Sequence, residues 1–532
     1  MAAEVDAVVI GGGHHGLVAA ALLADAGWDV VLLEAQDEVG GAVRSTELHP
    51  GFIADRFSAF YPLAAASPVL RALELENQGL RWAHAPAVLA HPPRPHSVDA
   101  AVLYRDAERT AVGLDAHHPG DGEAWLALCR QWQTIEEPLL RTLFTAFPPV
   151  KGPVQLLRLI GTAEALRLLR FVLLPATRMG EELFGGEAAR LLLAGNTAHA
   201  DVPPGAPVSG AFGWLLAMLG QHHGFPAPVG GAGQLAAALT RRAEAAGAVI
   251  RTGTPVSSIV VRGGRAVAVD TQGGERIRAR RAVVADVSAP ALYTQLLPAD
   301  AVPGRIRADL DRFTWDTPVV KLDWALAEPI PWRAESVRGA GTVHVGADAA
   351  GLVHWSADLE TGTLPESPFL LVGQMTTTDP SRSPAGTESA WAYTHLPRGV
   401  DDDATAEKLA ERAEAVIEAH APGFRDLAVH RIVQRPGDLH DADTNLVHGA
   451  VNGGTAQLFQ QLVFRPVPGL GRPETPIENL YLGSAAAHPG GGVHGICGLL
   501  AARAALGEHN RTGRLRRRVT SAALALVHSD PA

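Results

Sequence analysis

The chain has 532 residues, 47% of them apolar and 19% charged, which is material for more than one core and implies at least two domains. Its net charge of -11 leaves no basic excess to neutralise phosphates, so nucleic acid is excluded as an expected partner. The two cysteines, Cys129 and Cys497, lie far apart and in no CxxC spacing, which argues against a redox dithiol, a structural zinc site and a disulfide framework, and no metal is expected.

The first residues enter a strand at once, with no basic stretch followed by an apolar one, so no secretory leader is expected. No apolar run reaches the ~18 residues of a membrane-spanning helix. A cytoplasmic location follows as the expectation. Residues 5–10 form a short apolar run that reads as a buried strand. Residues 14–26 carry apolar side chains at helical spacing up to Gly27, and residues 29–34 read as a second buried strand. This is half of a doubly wound α/β unit. Residues 67–225 lose that rhythm: they are rich in proline and histidine, then helical. It returns with a helix at 234–246, a strand at 248–251 and a meander of strands at 258–261, 266–270 and 275–279, separated by Gly263-Gly264 and Gly273-Gly274 turns. A fully buried strand is expected at 282–285. Residues 290–451 are mixed, with a helix at 404–420 that Pro422-Gly423 stops. A last short strand at 480–483 leads into a glycine-rich turn and a helix of small residues at 498–505.

The expected architecture is therefore α/β, a Rossmann-like domain assembled from residues 1–66, 226–289 and 451–510. Two insertions, residues 67–225 and 290–450, form a mixed α+β substrate domain, and residues 511–532 form a basic, mobile tail.

The string Gly11-Gly12-Gly13-His14-His15-Gly16 sits between the first strand and its helix. There Gly11 permits the tight turn, Gly13 lets a pyrophosphate approach the main chain, and Gly16 lets helix and strand pack. Glu34 ends the second strand, where a carboxylate accepts from ribose hydroxyls. Gly490, Gly492 and Gly495 match the same pattern, but His488-Pro489 precedes them in place of a strand. After Glu34, the adjacent glycines Gly40 and Gly41 allow a second close approach and Arg44 can neutralise a diphosphate. A domain for NAD has no use for that extension, so the cofactor is read as FAD.

These residues resemble the flavin-dependent amine oxidase and phytoene desaturase superfamily. Within it the chain is most similar to the phytoene-dehydrogenase-related group that includes pyridine nucleotide-disulfide oxidoreductase domain-containing protein 2. The resemblance extends to the turn at Gly231 and Gly233, to Val256 where the family sets an apolar residue against adenine, and to Gly483, Ser484, Gly492 and Val493 in the C-terminal flavin-contacting motif. It implies an FAD-dependent oxidoreductase that dehydrogenates a small apolar substrate. A flavin amine oxidase and a non-catalytic binding protein like the GDP-dissociation inhibitors stay open as alternatives. No second strand-embedded glycine motif is present, so oxygen or a quinone is the expected electron acceptor, with a nicotinamide left open.

His488 and His494 flank the turn expected beside the flavin ring and are the catalytic candidates, as proton acceptors or ring-polarising groups. Their alternative role is to satisfy backbone groups in that turn. Cys497 reads as a small buried residue, with covalent flavin attachment as the alternative. His117-His118 and His222-His223 lack metal spacing and read as loop residues. In residues 154–178, Leu156, Ile160, Ala163, Leu166, Leu169 and Leu173 share one helical face, while Arg158, Arg167, Arg170 and Arg178 outnumber Glu164. That pattern suits peripheral contact with a membrane, or a helix lying over the substrate domain's own core.

Overall fold

The computed structural model describes residues 3–509 and 513–528. The strand Ala3–Ile10 runs parallel between Val30–Leu33 and Arg276–Ala285, because its last four side chains, Ala7 to Ile10, are apolar and buried on both faces. Val249–Arg251 extends the sheet parallel to Val30–Leu33, and Leu480–Leu482 lies parallel to the inner end of Arg276–Ala285. Strands from the start, middle and end of the chain thus share one sheet. Helices His14–Asp25, Gly233–Ala245 and Ile496–Glu508 cover one face of it. Small residues let them approach closely: a Cβ on Gly498 would stand 2.0 Å from the His15 carbonyl oxygen.

The second sheet runs in the order Ala428–Gln434, Val319–Leu326, Glu388–His395, Leu370–Gln374, Ala340–Val345, Ala87–His91, Ala101–Leu103. Its pairings are antiparallel except between Ala340–Val345 and Ala87–His91. Helix Asp403–His420 packs its apolar stripe on one face, capped by the Asp402 carboxylate, which accepts from Thr405 N–H at 2.9 Å. The helices Asp121–Leu143, Glu187–Thr197 and Ser209–His223 bury Trp125, Trp132 and Trp214 against the other side.

Four expectations are corrected. The strands expected at 275–279 and 282–285 are one strand, Arg276–Ala285. Its outer half pairs antiparallel with Arg265–Thr271 and its inner half parallel with Leu480–Leu482, so along the edge away from Ala3–Ile10 one continuous backbone serves two partners. The tail expected to be mobile forms helix Gly513–His528, in which Arg517 is buried and donates to the Thr475 carbonyl at 3.2 Å; residues 510–512 and 529–532 lie outside the described residues. His222 and His223 end a helix instead of lying in a loop, and both reach the Glu136 carboxylate at 2.7 Å; His117 likewise ends a helix. The single helical face expected over 154–178 is broken, because Gly161 takes φ +76° inside Lys151–Leu173 and a separate helix, Ala176–Leu183, follows. Its basic excess is also reduced, since Arg170 and Arg178 reach Glu182 at 2.7 and 2.9 Å.

Candidate functional site

The turn after Ala3–Ile10 is shaped by what glycine leaves out. A Cβ on Gly13 would stand 2.7 Å from the Asp286 carboxylate, and one on Gly16 would stand 2.1 Å from the Gly11 carbonyl oxygen. Gly11 adopts φ +96°, a conformation open to glycine and costly for other residues. Gly13, at the start of helix His14–Asp25, has no side chain to cap it; Asp286 takes the Gly16 N–H, which leaves those of His14 and His15 for an anion, and the helix dipole favours negative charge there. Gly12 N–H donates to Glu34 Oε2 at 2.6 Å and Gln36 N–H to Oε1 at 2.8 Å, which pins the carboxylate at the strand end. Gly40 N–H donates to the Gly12 carbonyl at 2.8 Å, tying the second glycine pair to the first turn.

Asp286 follows the buried end of Arg276–Ala285 and accepts from Gly16 N–H at 2.7 Å. Burial pushes its carboxyl up to about 8, with Asp443 and Glu34 adding like charge. Sequence reading missed it, although a carboxylate directly after a buried parallel strand is the signal that singled out Glu34.

A cavity of about 1170 Å³ opens between the two sheets. Typical small-ligand pockets hold ~300–1,000 Å³, so this one has room for a large cofactor and a substrate together. Gly11, Gly13, Glu34, Gly41, Arg44, Val256, Ser484, His488, Gly492, Val493 and His494 line it. The other sequence candidates, Gly16, Gly40, Gly231, Gly233 and Gly483, are not on its wall. Gly231 and Gly233 face Ser45 and Asp55: Gly233 N–H donates to Ser45 Oγ at 3.0 Å, and Ala232 N–H donates to Asp55 at 2.7 Å. Asp55 is itself fully buried in an ion pair with Arg382 at 2.7 Å. The turn at Gly231 therefore joins the two domains behind the cavity. Gly483 packs a main chain without side chain against Val284 and Ala501. Arg44 is buried, donating to the carbonyls of Gly41 at 2.9 Å and Ala442 at 2.6 Å.

His494 holds the C-terminal turn closed. Its Nε2–H donates to the Gly490 carbonyl at 3.2 Å and its Nδ1 accepts from Ile496 N–H at 3.0 Å, so both nitrogens are engaged by main chain. Burial pushes it down to about 3. His488 donates to the Thr145 carbonyl at 3.0 Å, and burial pushes it down to about 4. Both therefore stand as neutral clamps at neutral pH, and His494 has no ring nitrogen free to take a proton. Burial pushes the Cys497 thiol up to about 12, far from a reactive thiolate, and it does not line the cavity.

The opposite wall comes mostly from the inserted segments, joined by Phe60 from the first segment, and is mostly apolar, with Leu173, Phe212, Leu215 and Tyr393 among its side chains. Polar residues interrupt it, among them Lys321, Asn196 and His199. Lys321 is buried, paired with Asp323 and donating to the Asp55 carbonyl at 2.9 Å. Asn196 and His199 lie at and just beyond the end of helix Glu187–Thr197. No local pattern marks these three in the sequence; strand pairing and helix packing bring them to the cavity.

The open N–H groups of His14 and His15 at the helix start, the glycine turns that a side chain would fill, and the cavity's size fit FAD. The model of the flavin containing amine oxidoreductase family matches residues 16–506. Pyridine nucleotide-disulfide oxidoreductase domain-containing protein 2 of Rattus norvegicus is 28% identical over 94% of this chain and 93% of its own length. A zeta-carotene-forming phytoene desaturase of Myxococcus xanthus is 27% identical over 91% of this chain and 90% of its own. Among solved structures, cyclohexylamine oxidase from Brevibacterium oxydans IH-35A superposes with a TM-score of 0.57 at 16% identity, over 94% of this chain and 98% of that one.

Proposed function

The chain belongs to the flavin-containing amine oxidoreductase family and is an FAD-dependent oxidoreductase, and from that premise we propose that it dehydrogenates an apolar substrate in the manner of a desaturase. The observation that carries this reading is the cavity wall opposite the glycine turns, which is built of Phe60, Phe212, Leu215 and their apolar neighbours. Bound FAD supplies a two-electron acceptor for a hydride. The chain's own residues bind and orient. The N-terminus of His14–Asp25, with Gly11 and Gly13, would hold the diphosphate, Glu34 the ribose, and Val256 the adenine. Gly492 and Val493 would lie along the flavin, in a turn that His494 keeps rigid. The apolar wall excludes water from the bond that is oxidised.

The same reading places peripheral membrane contact on the helix Lys151–Leu173. Leu166 and Leu169 project into solvent, 68% and 56% exposed. Leu173, Leu458 and Leu462 are partly exposed and also line the cavity, so apolar surface continues from outside to inside. Among the described residues no helix is long and apolar enough to cross a membrane. An apolar substrate would pass from the lipid surface into the cavity along this path.

The test is anaerobic mixing of the purified holoprotein with a C40 polyene in detergent and, separately, with a panel of amines. Bleaching of the flavin band by the polyene is the expected result. Bleaching by an amine, with the polyene inert, would transfer the protein to the amine oxidase reading. For the membrane contact, Leu166→Glu/Leu169→Glu should reduce co-sedimentation with phosphatidylcholine vesicles while leaving flavin content intact.

A further inference from the structure

The apolar wall carries one polar device whose parts lie far apart in sequence. His91 and His344 stand on the neighbouring strands Ala87–His91 and Ala340–Val345, where Val343 pairs with Ala90 one residue before each. Both imidazoles are buried, and the turn of helix Glu187–Thr197 above them is Gly195, where a Cβ would stand 2.6 Å from His344 Nδ1 and 2.9 Å from His91 Nδ1. Glycine there makes room for two rings. Beyond them His199 meets His344, Nε2 to Nε2 at 2.9 Å, and lines the cavity.

The proton position of His91 follows from its partner. His91 Nε2 lies 2.8 Å from the Ala347 carbonyl, which only accepts, so this nitrogen carries the hydrogen. Burial keeps the ring neutral, pushing it down to about 4, so His91 Nδ1 is bare. His344 Nδ1 converges on the same point above Gly195. Neither Nδ1 has a hydrogen-bond partner among the described residues, and with the hydrogen of His344 on Nδ1 its Nε2 accepts. His199 then donates from Nε2, and its Nδ1 is left as an acceptor with no partner among the described residues. Asn196 adds a second acceptor beside it: it is fully buried, donates to the Leu192 carbonyl at 2.7 Å, and leaves its amide oxygen without a partner. Buried acceptors left without donors are costly, and such groups are retained where a ligand completes them.

We propose that His199 accepts a hydrogen bond from a hydroxyl group on an otherwise apolar substrate, with His344 and His91 as positioning residues that fix its tautomer. The inference rests on the apolar-substrate reading and narrows it to a long-chain or polycyclic alcohol. One hydroxyl provides the donor that His199 and Asn196 lack, and the rest of the molecule meets hydrocarbon. A hydrocarbon of the same length leaves His199 unsatisfied. An ammonium group would also donate, but it would bring its charge to a neutral imidazole in a mostly apolar wall.

The experiment is a titration of the holoprotein, followed by the perturbation of its flavin absorbance, with a C12 alkane, the C12 primary alcohol and the C12 amine. The alcohol should bind about tenfold more tightly than the alkane. His199→Phe should bring the alcohol down to the alkane's affinity and leave the alkane unchanged. His199→Gln, which keeps an acceptor, should retain most of the preference and covers the case in which the phenylalanine variant fails to fold. His344→Phe, with the tautomer no longer fixed, should give an intermediate preference. Equal affinities in the wild type, tightest binding of the amine, or a preference that survives His199→Phe would each overturn the proposal. Alkane binding without a preference for the alcohol sinks the hydroxyl alone, whereas a flavin band that no apolar ligand perturbs sinks the apolar-substrate reading as well.

Discussion

On the nucleotide side of the cavity the chain presents mostly main chain: Gly11, Gly13 and Gly41, the start of His14–Asp25, and one carboxylate held at each of two strand ends. On the substrate side it presents side chains, Lys321 from one strand, Asn196 and His199 from the end of a helix, and apolar residues from several more elements. The first wall is made chiefly of residues within the first 45 of the chain, joined by Asp286, and depends on absent side chains. The second depends on side chains that meet only through tertiary packing. A binding surface of main chain is written locally, because the backbone geometry needed is a property of a short segment. A surface of side chains is written in the packing of whole elements.

The two walls should therefore fail differently. Gly16→Ala puts a methyl group 2.1 Å from the Gly11 carbonyl oxygen, and no side chain there can move aside. We expect the turn to open and flavin to be lost on purification, read from the flavin-to-protein absorbance ratio; a full complement of flavin would show that main-chain fit does not govern this wall. Arg382→Ala tests the seam between the walls. It leaves the Asp55 carboxylate buried without its cation, and chemical denaturation should show a loss of about 3–5 kcal/mol.

Asp286→Asn sharpens the comparison electrostatically. The native carboxyl is raised to about 8 from an ordinary value of 3.8, so the folded state holds its proton more tightly than the unfolded state. That contribution to stability is fully present below about pH 3.8 and is lost as pH rises toward 8. Asparagine keeps an acceptor for Gly16 N–H and has no proton to lose. The flavin-free variant should therefore be more stable than the wild type near pH 8, by on the order of 2 kcal/mol, with the gap closing toward pH 4. A pH-independent difference would remove the electrostatic cause. The smallest effect is expected from Gly195→Ala, the counterpart of Gly16→Ala behind the other wall. Its methyl group meets imidazole rings that can shift, so flavin should stay bound while stability falls by about 1–2 kcal/mol.

The sequence by itself determined the α/β class, the nucleotide turn with its strand and helix, the carboxylate at Glu34 and FAD as the cofactor. Each of these is fixed by spacing within a few tens of residues, where hydrophobic period and glycine position act directly on the backbone. It also pointed to His488 and His494, but not to what they do. Only the structure shows that the main chain engages both nitrogens of His494, and one of His488. Tertiary structure alone decided that Gly231 and Gly233 serve the seam behind the cavity instead of its wall, since their partners, Ser45 and Asp55, lie far away in the chain. It alone brought His91, His199 and His344 into one line, because strand register and helix packing set the neighbours of a buried side chain, and neither is a property of the residues beside it in sequence.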